Sequence, residues 1–236
     1  NAVGLDTPVS TIRLLRALRE AGYDLGERDG IPGLDDVPPV EGEAPDTTAG
    51  NALIHALIAA GGQDPEWLTQ EQVSGAQVRI PAATYAGWFD ALPQDLREAV
   101  TEHWGPAPGA IYVDTTHDPG GEIVCAAMQS GNIVLLVQPP RGFGENPIAI
   151  YHDPDLPPTH HYLATYRWLE EEFGAHAVVH VGKHGNLEWL SGKNLGMSAS
   201  CGTDAALGSL PLIYPFLVND PGGHPTGELH ERRVGG

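Results

Sequence analysis

The sequence predicts an α/β fold in which a helical N-terminal portion is followed by a partly parallel sheet with flanking helices. Up to residue 106, apolar side chains recur mainly at helical spacing, as in amphipathic helices. After residue 106 the apolar runs are short and β-branched, which indicates buried strands. An amphipathic run that begins near residue 159 lies between two of these strands, and this order predicts a right-handed crossover within a parallel sheet.

Start and stop signals place the predicted helices. Asp6 can cap the first helix, and Gly22 ends it. Thr159 can cap the clearest helix, which Gly174 closes. The predicted helices are residues 8–20, a run around 53–58 that stops at 61, and residues 84–92, 94–103 and 159–173. The predicted strands are residues 110–113, 123–127, 132–138 and 177–181.

Residues 24–50 give the weakest structural signal. The segment is rich in proline, glycine and acidic residues, and no lysine or arginine occurs between Asp29 and Val78. Such a composition is typical of solvent-exposed loops. We interpret the segment as a solvated acidic loop.

The charge of the chain excludes several classes of partner. It carries 31 acidic against 12 basic residues, a formal net charge of −19, which argues against nucleic acid and anionic membrane surfaces. Only Cys125 and Cys201 are present, so we expect no disulfide framework and a reducing, cytoplasmic location. No apolar run approaches the roughly 18–20 residues of a membrane helix. Because the first residue is Asn1, we expect an internal portion of a longer protein.

Candidate metal ligands are concentrated in one short motif. His180, His184 and Glu188 follow one another at intervals of four residues, beside glycines. Imidazole and carboxylate are the usual ligands of first-row divalent metals. His180 lies near the end of a predicted strand, where ligands bind in open α/β sheets. We predict a metal site formed by these three residues, although any single histidine could equally be an ordinary core residue.

Cationic side chains flank this motif. Lys183 and Lys193 are the only lysines, and Arg141 follows the end of the predicted strand 132–138. Ammonium and guanidinium groups bind carboxylates, so we predict that these residues bind a substrate. His152 and Trp189 complete the predicted substrate-binding set. No phosphate-binding loop of the form G-x-x-x-x-G-K-[ST] is present, so any use of ATP requires another chain.

The strings at residues 138–147, 149–161 and 179–201 resemble the large subunit of aerobic cobaltochelatase (CobN-type), a family related to the large subunit of magnesium chelatase. The shared family core is His-x-Gly-x-His-Gly-x-x-Glu, here residues 180–188. Lys183 and Trp189 favour the cobalt branch. Ser191 departs from the pattern, since proline is common at this place in the family, and residues 223–236 diverge from it.

The resemblance implies ATP-dependent insertion of Co2+ into hydrogenobyrinic acid a,c-diamide during aerobic cobalamin biosynthesis. The large subunit would bind the macrocycle, and the implied partners are an AAA+ ATPase subunit and a subunit with a metal-binding domain. His180, His184 and Glu188 would hold or hand over the metal. Glu188, or else His184, would take a proton from the ring.

Other interpretations remain open at this point. The chain could be a magnesium chelatase-type large subunit, or a module that binds metal or tetrapyrrole without turnover. A zinc metallohydrolase would act without ATP or partners. A purely structural domain is the remaining alternative.

We expect three portions along the chain. Residues 1–106 would be helix-rich, with the acidic loop 24–50. Residues 107–222 would form the α/β portion that carries the metal and tetrapyrrole site. Residues 223–236 would be a divergent tail.

Overall fold

The computed structural model describes residues 5–27, 30–35, 42, 44–61, 69–142, 153–182, 185–192 and 196–215. The helices are α1 (Thr7–Glu20), α2 (Pro45–Ala59), α3 (Gln70–Ser74), α4 (Ala82–Asp90), α5 (Gln94–Trp104), α6 (His160–Glu171) and α7 (Gly202–Leu207). The strands are β1 (Val78–Pro81), β2 (Val113–Asp114), β3 (Glu122–Cys125), β4 (Ala127–Ser130), β5 (Ile133–Leu136), β6 (Val178–Val179) and β7 (Leu212–Ile213). This mixture of helices and sheets confirms the predicted α/β class, and the predicted helices all occur.

The chain divides into two compact units. The N-terminal unit comprises Asp6–Ala91 and Trp104–Pro139. The C-terminal unit comprises Leu92–His103 and Pro140–Gly236, together with Asn1–Leu5. The predicted boundary between residues 106 and 107 stays a prediction, and the predicted tail 223–236 lies outside the described residues.

In the N-terminal unit, α1 packs against α2. The Asp6 carboxylate caps α1 as predicted, accepting a hydrogen bond from the Val9 amide at 3.0 Å. The two helices approach closely at Gly50, where a Cβ would lie 2.9 Å from a Val9 methyl group. Their apolar faces share one core: Ile12, Leu15, Leu25, Ile31, Leu34, Ala49 and Leu53.

That core includes part of the segment interpreted as a solvated loop. Leu25, Ile31 and Leu34 are each at most 4% exposed, and α2 begins at Pro45. Isolated apolar residues among prolines carry no periodicity, which is why the sequence did not indicate their burial. These three side chains therefore belong to the core, whereas much of the rest of the described segment is exposed. Residues 28–29, 36–41 and 43 lie outside the described residues.

Two antiparallel sheets complete the N-terminal unit. One has the strand order β1-β3-β2, with Ile80 opposite Ile123, and the other is the β4-β5 hairpin. The predicted strand 110–113 is reduced to β2, because Tyr112 adopts a φ of +58°. The predicted strand 123–127 is interrupted at residue 126 and contributes to both β3 and β4.

The predicted crossover between strands 132–138 and 177–181 is wrong. β5 pairs with β4 across a two-residue turn. Closing so short a loop costs little conformational entropy, which favours this local pairing over pairing with a distant strand. β6 instead pairs in parallel with β7, with Val178 opposite Leu212. Parallel pairing is present, but in a separate two-stranded sheet and through a different pair of strands.

Helix α6 is the most buried helix of the C-terminal unit among the described residues. The Thr159 hydroxyl caps it, accepting from the Tyr162 amide at 3.0 Å. The only residues of α6 that are more than marginally exposed are Arg167, Glu170 and Glu171. A helix buried on nearly all sides can hold side chains in fixed directions.

Two further features concern the cysteines and the lengths of the helices. Cys125 and Cys201 are both buried and unbridged. No helix within the described ranges is long and apolar enough to cross a membrane.

Candidate functional site

The structure describes only part of the predicted site. His180, Arg141 and Trp189 are described in full, and Glu188 only through its backbone. His152, Lys183, His184 and Lys193 lie outside the described residues. The predicted ligand set of two histidines and one glutamate therefore stays a prediction.

His180 directly follows β6, whereas the sequence predicted it inside the strand, near its end. Its amide donates to the Ile213 carbonyl at 2.9 Å, which extends the parallel pairing by one bond. Its Nε2 lies 2.8 Å from the Tyr166 hydroxyl on α6. The ring meets Tyr166 and Tyr214 edge-on, with centroids 6.2 and 5.7 Å apart. The imidazole is half-buried and is held between aromatic rings from two other segments.

Tyrosine hydroxyls also fix the backbone that follows. Tyr162 donates to Asn186 Oδ1 at 2.7 Å, and the Gly185 amide donates to the Tyr214 hydroxyl. The rings of Tyr162 and Tyr166 are stacked with centroids 5.0 Å apart. Hydrogen bonds to tyrosines outside the motif thus hold both His180 and residues 185–186.

The segment that carries Glu188 is a single turn of 3-10 helix, Leu187–Trp189. Within the described residues the Asn186 side chain makes no capping bond to this turn, and its oxygen accepts from Tyr162 instead. Leu187 is 1% exposed, and its carbonyl accepts from the Thr203 hydroxyl at 2.6 Å. Trp189 is half-buried. The turn is therefore anchored to the start of α7.

Arg141 is placed inside the C-terminal unit. The residue is 1% exposed, and its guanidinium donates to the carbonyls of Trp189, Asp153 and Leu156, the last at 3.5 Å. Burial lowers the pKa of Arg141, and the Asp153 carboxylate opposes that shift. The side chain ties the Trp189 turn to the segment before α6. Direct contact with a substrate carboxylate stays a prediction.

Gly192, which was not among the predicted site residues, shapes the segment after the motif. Gly192 has a φ of +148°, and a Cβ there would lie 2.7 Å from the Cys201 Cβ. The Ser191 carbonyl accepts from the Gly202 amide at 2.8 Å. Backbone packed this closely against a buried thiol requires glycine. The Ser-Gly-Lys string signals a turn, but not the tertiary contact that constrains it.

The described residues contain no cluster of three histidine, cysteine, aspartate or glutamate side chains able to hold a metal. Since two of the three predicted ligands are not described at the side-chain level, this finding leaves the predicted metal site untested. What the structure provides is one oriented imidazole at a strand exit, beside an anchored turn.

Comparisons with known proteins agree on one family. The model for the family described as CobN/Magnesium Chelatase matches residues 1–224. A Pseudomonas aeruginosa protein named as the CobN subunit of aerobic cobaltochelatase is 41% identical over 223 residues, which cover 94% of this chain and 16% of that protein. A magnesium-chelatase subunit from Chlorobaculum parvum is 31% identical over 219 residues, covering 92% of this chain and 15% of that protein.

A solved structure gives the same indication. The catalytic subunit of cobaltochelatase from Mycobacterium tuberculosis is 59% identical, with a TM-score of 0.75, over 94% of this chain and 17% of that one. The chain thus spans between 15% and 17% of the length of these three proteins.

Proposed function

Because the chain belongs to the CobN/magnesium chelatase family, we propose that the protein inserts Co2+ into hydrogenobyrinic acid a,c-diamide as the macrocycle-binding large subunit of a cobaltochelatase. The observation that carries this proposal is the 59% identity, at a TM-score of 0.75, to a cobaltochelatase catalytic subunit. The chain contributes part of the metal and ring site.

The cobalt branch is supported over the magnesium branch by degree of likeness. Identity is 41% to a cobaltochelatase subunit and 31% to a magnesium-chelatase subunit over similar lengths. A magnesium chelatase-type large subunit is the second candidate, since both relatives match. A test with Co2+ and Mg2+, each offered with a corrin and a porphyrin ring, separates the two. Co2+ insertion into the corrin alone supports the first candidate.

The chemistry requires that hydrated Co2+ loses water while the ring nitrogens lose protons. We propose that His180, His184 and Glu188 replace the waters of Co2+ stepwise. Glu188, or else His184, takes the ring protons. Lys183, Lys193, Arg141, His152 and Trp189 are proposed to hold the macrocycle. The oriented imidazole of His180 supports the first of these roles, because a fixed ligand loses little freedom on binding metal.

The energy source is proposed to lie outside this chain. The sequence has no G-x-x-x-x-G-K-[ST] loop, so an AAA+ ATPase subunit would hydrolyse ATP, and a subunit with a metal-binding domain would complete the enzyme. A cytoplasmic location fits the buried, unbridged Cys125 and Cys201.

The decisive experiment replaces Glu188 in the full-length protein assembled with its partners. Glu188→Gln removes the proton acceptor and a charge, so the Co2+ insertion rate should fall about 100-fold or more. Macrocycle affinity, measured by absorbance titration, should stay nearly unchanged. Glu172→Gln, at an exposed glutamate after α6, is the matched control. Insertion by Glu188→Gln at the unaltered rate would exclude the proposed role.

A non-catalytic binding module makes a different prediction. It would bind Co2+ or the macrocycle tightly, yet the full assembly would release no metallated product, with or without ATP. Product formation with partners and ATP therefore separates the enzyme from the module.

A further inference from the structure

We infer that Tyr166 is the positioning residue of the metal site: its buried hydroxyl holds Nε2 of His180, so that the imidazole meets the incoming cation through Nδ1. The inference rests on the proposed function, in which His180 binds Co2+. The observation behind it is the 2.8 Å separation between the Tyr166 hydroxyl and His180 Nε2. Metal-binding histidines usually use one ring nitrogen for the metal and the other for an oxygen partner that fixes the ring.

The hydroxyl of Tyr166 has a fixed direction. Tyr166 is 4% exposed, on a helix whose surroundings are packed on nearly all sides. Its ring stacks on Tyr162, which is 0% exposed and is itself bonded to Asn186 at 2.7 Å. A group held in this way can orient a partner without being reoriented by it.

The partner, in contrast, needs orientation. His180 is half-buried and follows a strand of only two residues, so few backbone bonds constrain it. The hydrogen bond from its amide to the Ile213 carbonyl fixes the backbone. The Tyr166 hydroxyl and the edge-on contact with Tyr214 fix the ring. Two separate segments, α6 and the chain at the end of β7, therefore hold this one residue.

The bond is compatible with either tautomer of the imidazole, because the Tyr166 hydroxyl can donate or accept. Metal binding through Nδ1 selects one of the two. When Nε2–H donates to the Tyr166 oxygen, Nδ1 carries the lone pair with which an imidazole binds metal. Metal binding that preserves the tyrosine bond thus uses Nδ1. In this arrangement Tyr166 acts through His180.

The test uses the full-length protein titrated with Co2+, followed by the visible absorption of the bound metal. Tyr166→Phe removes one oxygen and keeps the stacked ring, so the dissociation constant for Co2+ should rise about 10–100-fold. Macrocycle affinity should not change. In the assembled enzyme the KM for Co2+ should rise more than kcat falls. Tyr85→Phe, at a 0% exposed tyrosine of the N-terminal unit, is the matched control.

A double-mutant cycle separates positioning from general damage. If Tyr166 acts through His180, then adding Tyr166→Phe to His180→Ala should cause no further loss of Co2+ affinity. Additive losses would overturn the inference. A fluorinated tyrosine at position 166 retains the ring shape and alters hydrogen-bond strength, so it should shift the Co2+ dissociation constant at an unchanged melting temperature.

The two proposals fail in different ways. If His180→Ala inserts Co2+ at the normal rate, the proposed metal-binding role of His180 is wrong. If His180→Ala is impaired while Tyr166→Phe and the fluorotyrosine protein bind Co2+ normally, only the positioning role is wrong.

Discussion

Single residues in the C-terminal unit show how a backbone position restricts side-chain choice. Gly192 and Gly174 both have positive φ values, +148° and +67°. A Cβ at Gly192 would meet Cys201 at 2.7 Å, whereas nothing lies within 4 Å of one at Gly174. The two positions therefore share the conformational cost of a side chain and differ in the steric cost.

This difference gives a prediction for paired alanine variants. Gly174→Ala should cost only the conformational term, about 1–2 kcal/mol. Gly192→Ala should cost more, because the segment must also move away from the buried Cys201. Thermal unfolding of the two variants in parallel measures the difference. Equal melting temperatures would mean that the close approach at Gly192 relaxes without cost.

Asp114 predicts how stability depends on pH. The hydroxyl and amide of Thr116 hold the pKa of Asp114 well below its usual range, assisted by the Arg79 guanidinium. A carboxyl with a depressed folded-state pKa stabilises the fold above its unfolded value of about 3.9, and this stability is lost as the pH falls further. Melting temperature should therefore decrease below about pH 4.

The contribution of Asp114 can be isolated by substitution. Asp114→Asn should be less stable at neutral pH and should show a shallower decrease in melting temperature below about pH 4. Asp90→Asn, at an exposed carboxylate of α4, should keep the original pH profile. An Asp114→Asn profile parallel to that of the unaltered protein would assign the acid sensitivity to other groups.

At the scale of elements, the α1–α2 pair depends on buried apolar contacts. Ile12 is 0% exposed in the shared core, whereas Ile58 on α2 is 40% exposed. Ile12→Ala should lower the free energy of unfolding by about 2–5 kcal/mol, since it leaves a cavity. Ile58→Ala should change it by about 0.5 kcal/mol or less. Denaturant midpoints test this, and a small effect at Ile12 would indicate a core that collapses around the missing atoms.

The elements also show which parts of the fold the sequence can predict. α1 and α6 were predictable because their caps, Asp6 and Thr159, and their apolar spacing are local signals. β7 was missed because it has two residues and is defined only by pairing with distant β6. The predicted crossover failed for a related reason, since a local hairpin partner was available to β5.

In the candidate site, too, features set by local sequence were predictable, and contacts between distant residues were not. A strand that ends close to His180 follows from local sequence, and the observed strand stops at Val179, two residues before the predicted end. The contact of Tyr166 was not predicted, because helical spacing does not reveal which hydroxyl meets which imidazole. Arg141 was interpreted as a carboxylate binder from its charge, whereas its contacts with backbone carbonyls depend on tertiary packing.

At the scale of the whole chain, the net charge of −19 acts on every charged ligand. It attracts a dication and repels a macrocycle that carries carboxylates. Salt screens both effects, since the Debye length falls from about 30 Å at 0.01 M to about 3 Å at 1 M. The two ligands of the proposed reaction should therefore respond to salt with opposite signs.

Titration of the 236-residue chain with each ligand, at low and at high sodium chloride, measures both responses. Co2+ should bind more weakly at high salt, and the corrin precursor more tightly. His180→Ala should weaken Co2+ binding at both salt concentrations while retaining the salt dependence, because it removes a local contact and leaves the long-range field unchanged. If salt weakens the binding of both ligands, then local cations such as Lys183 and Lys193, rather than the overall charge, govern how the macrocycle associates.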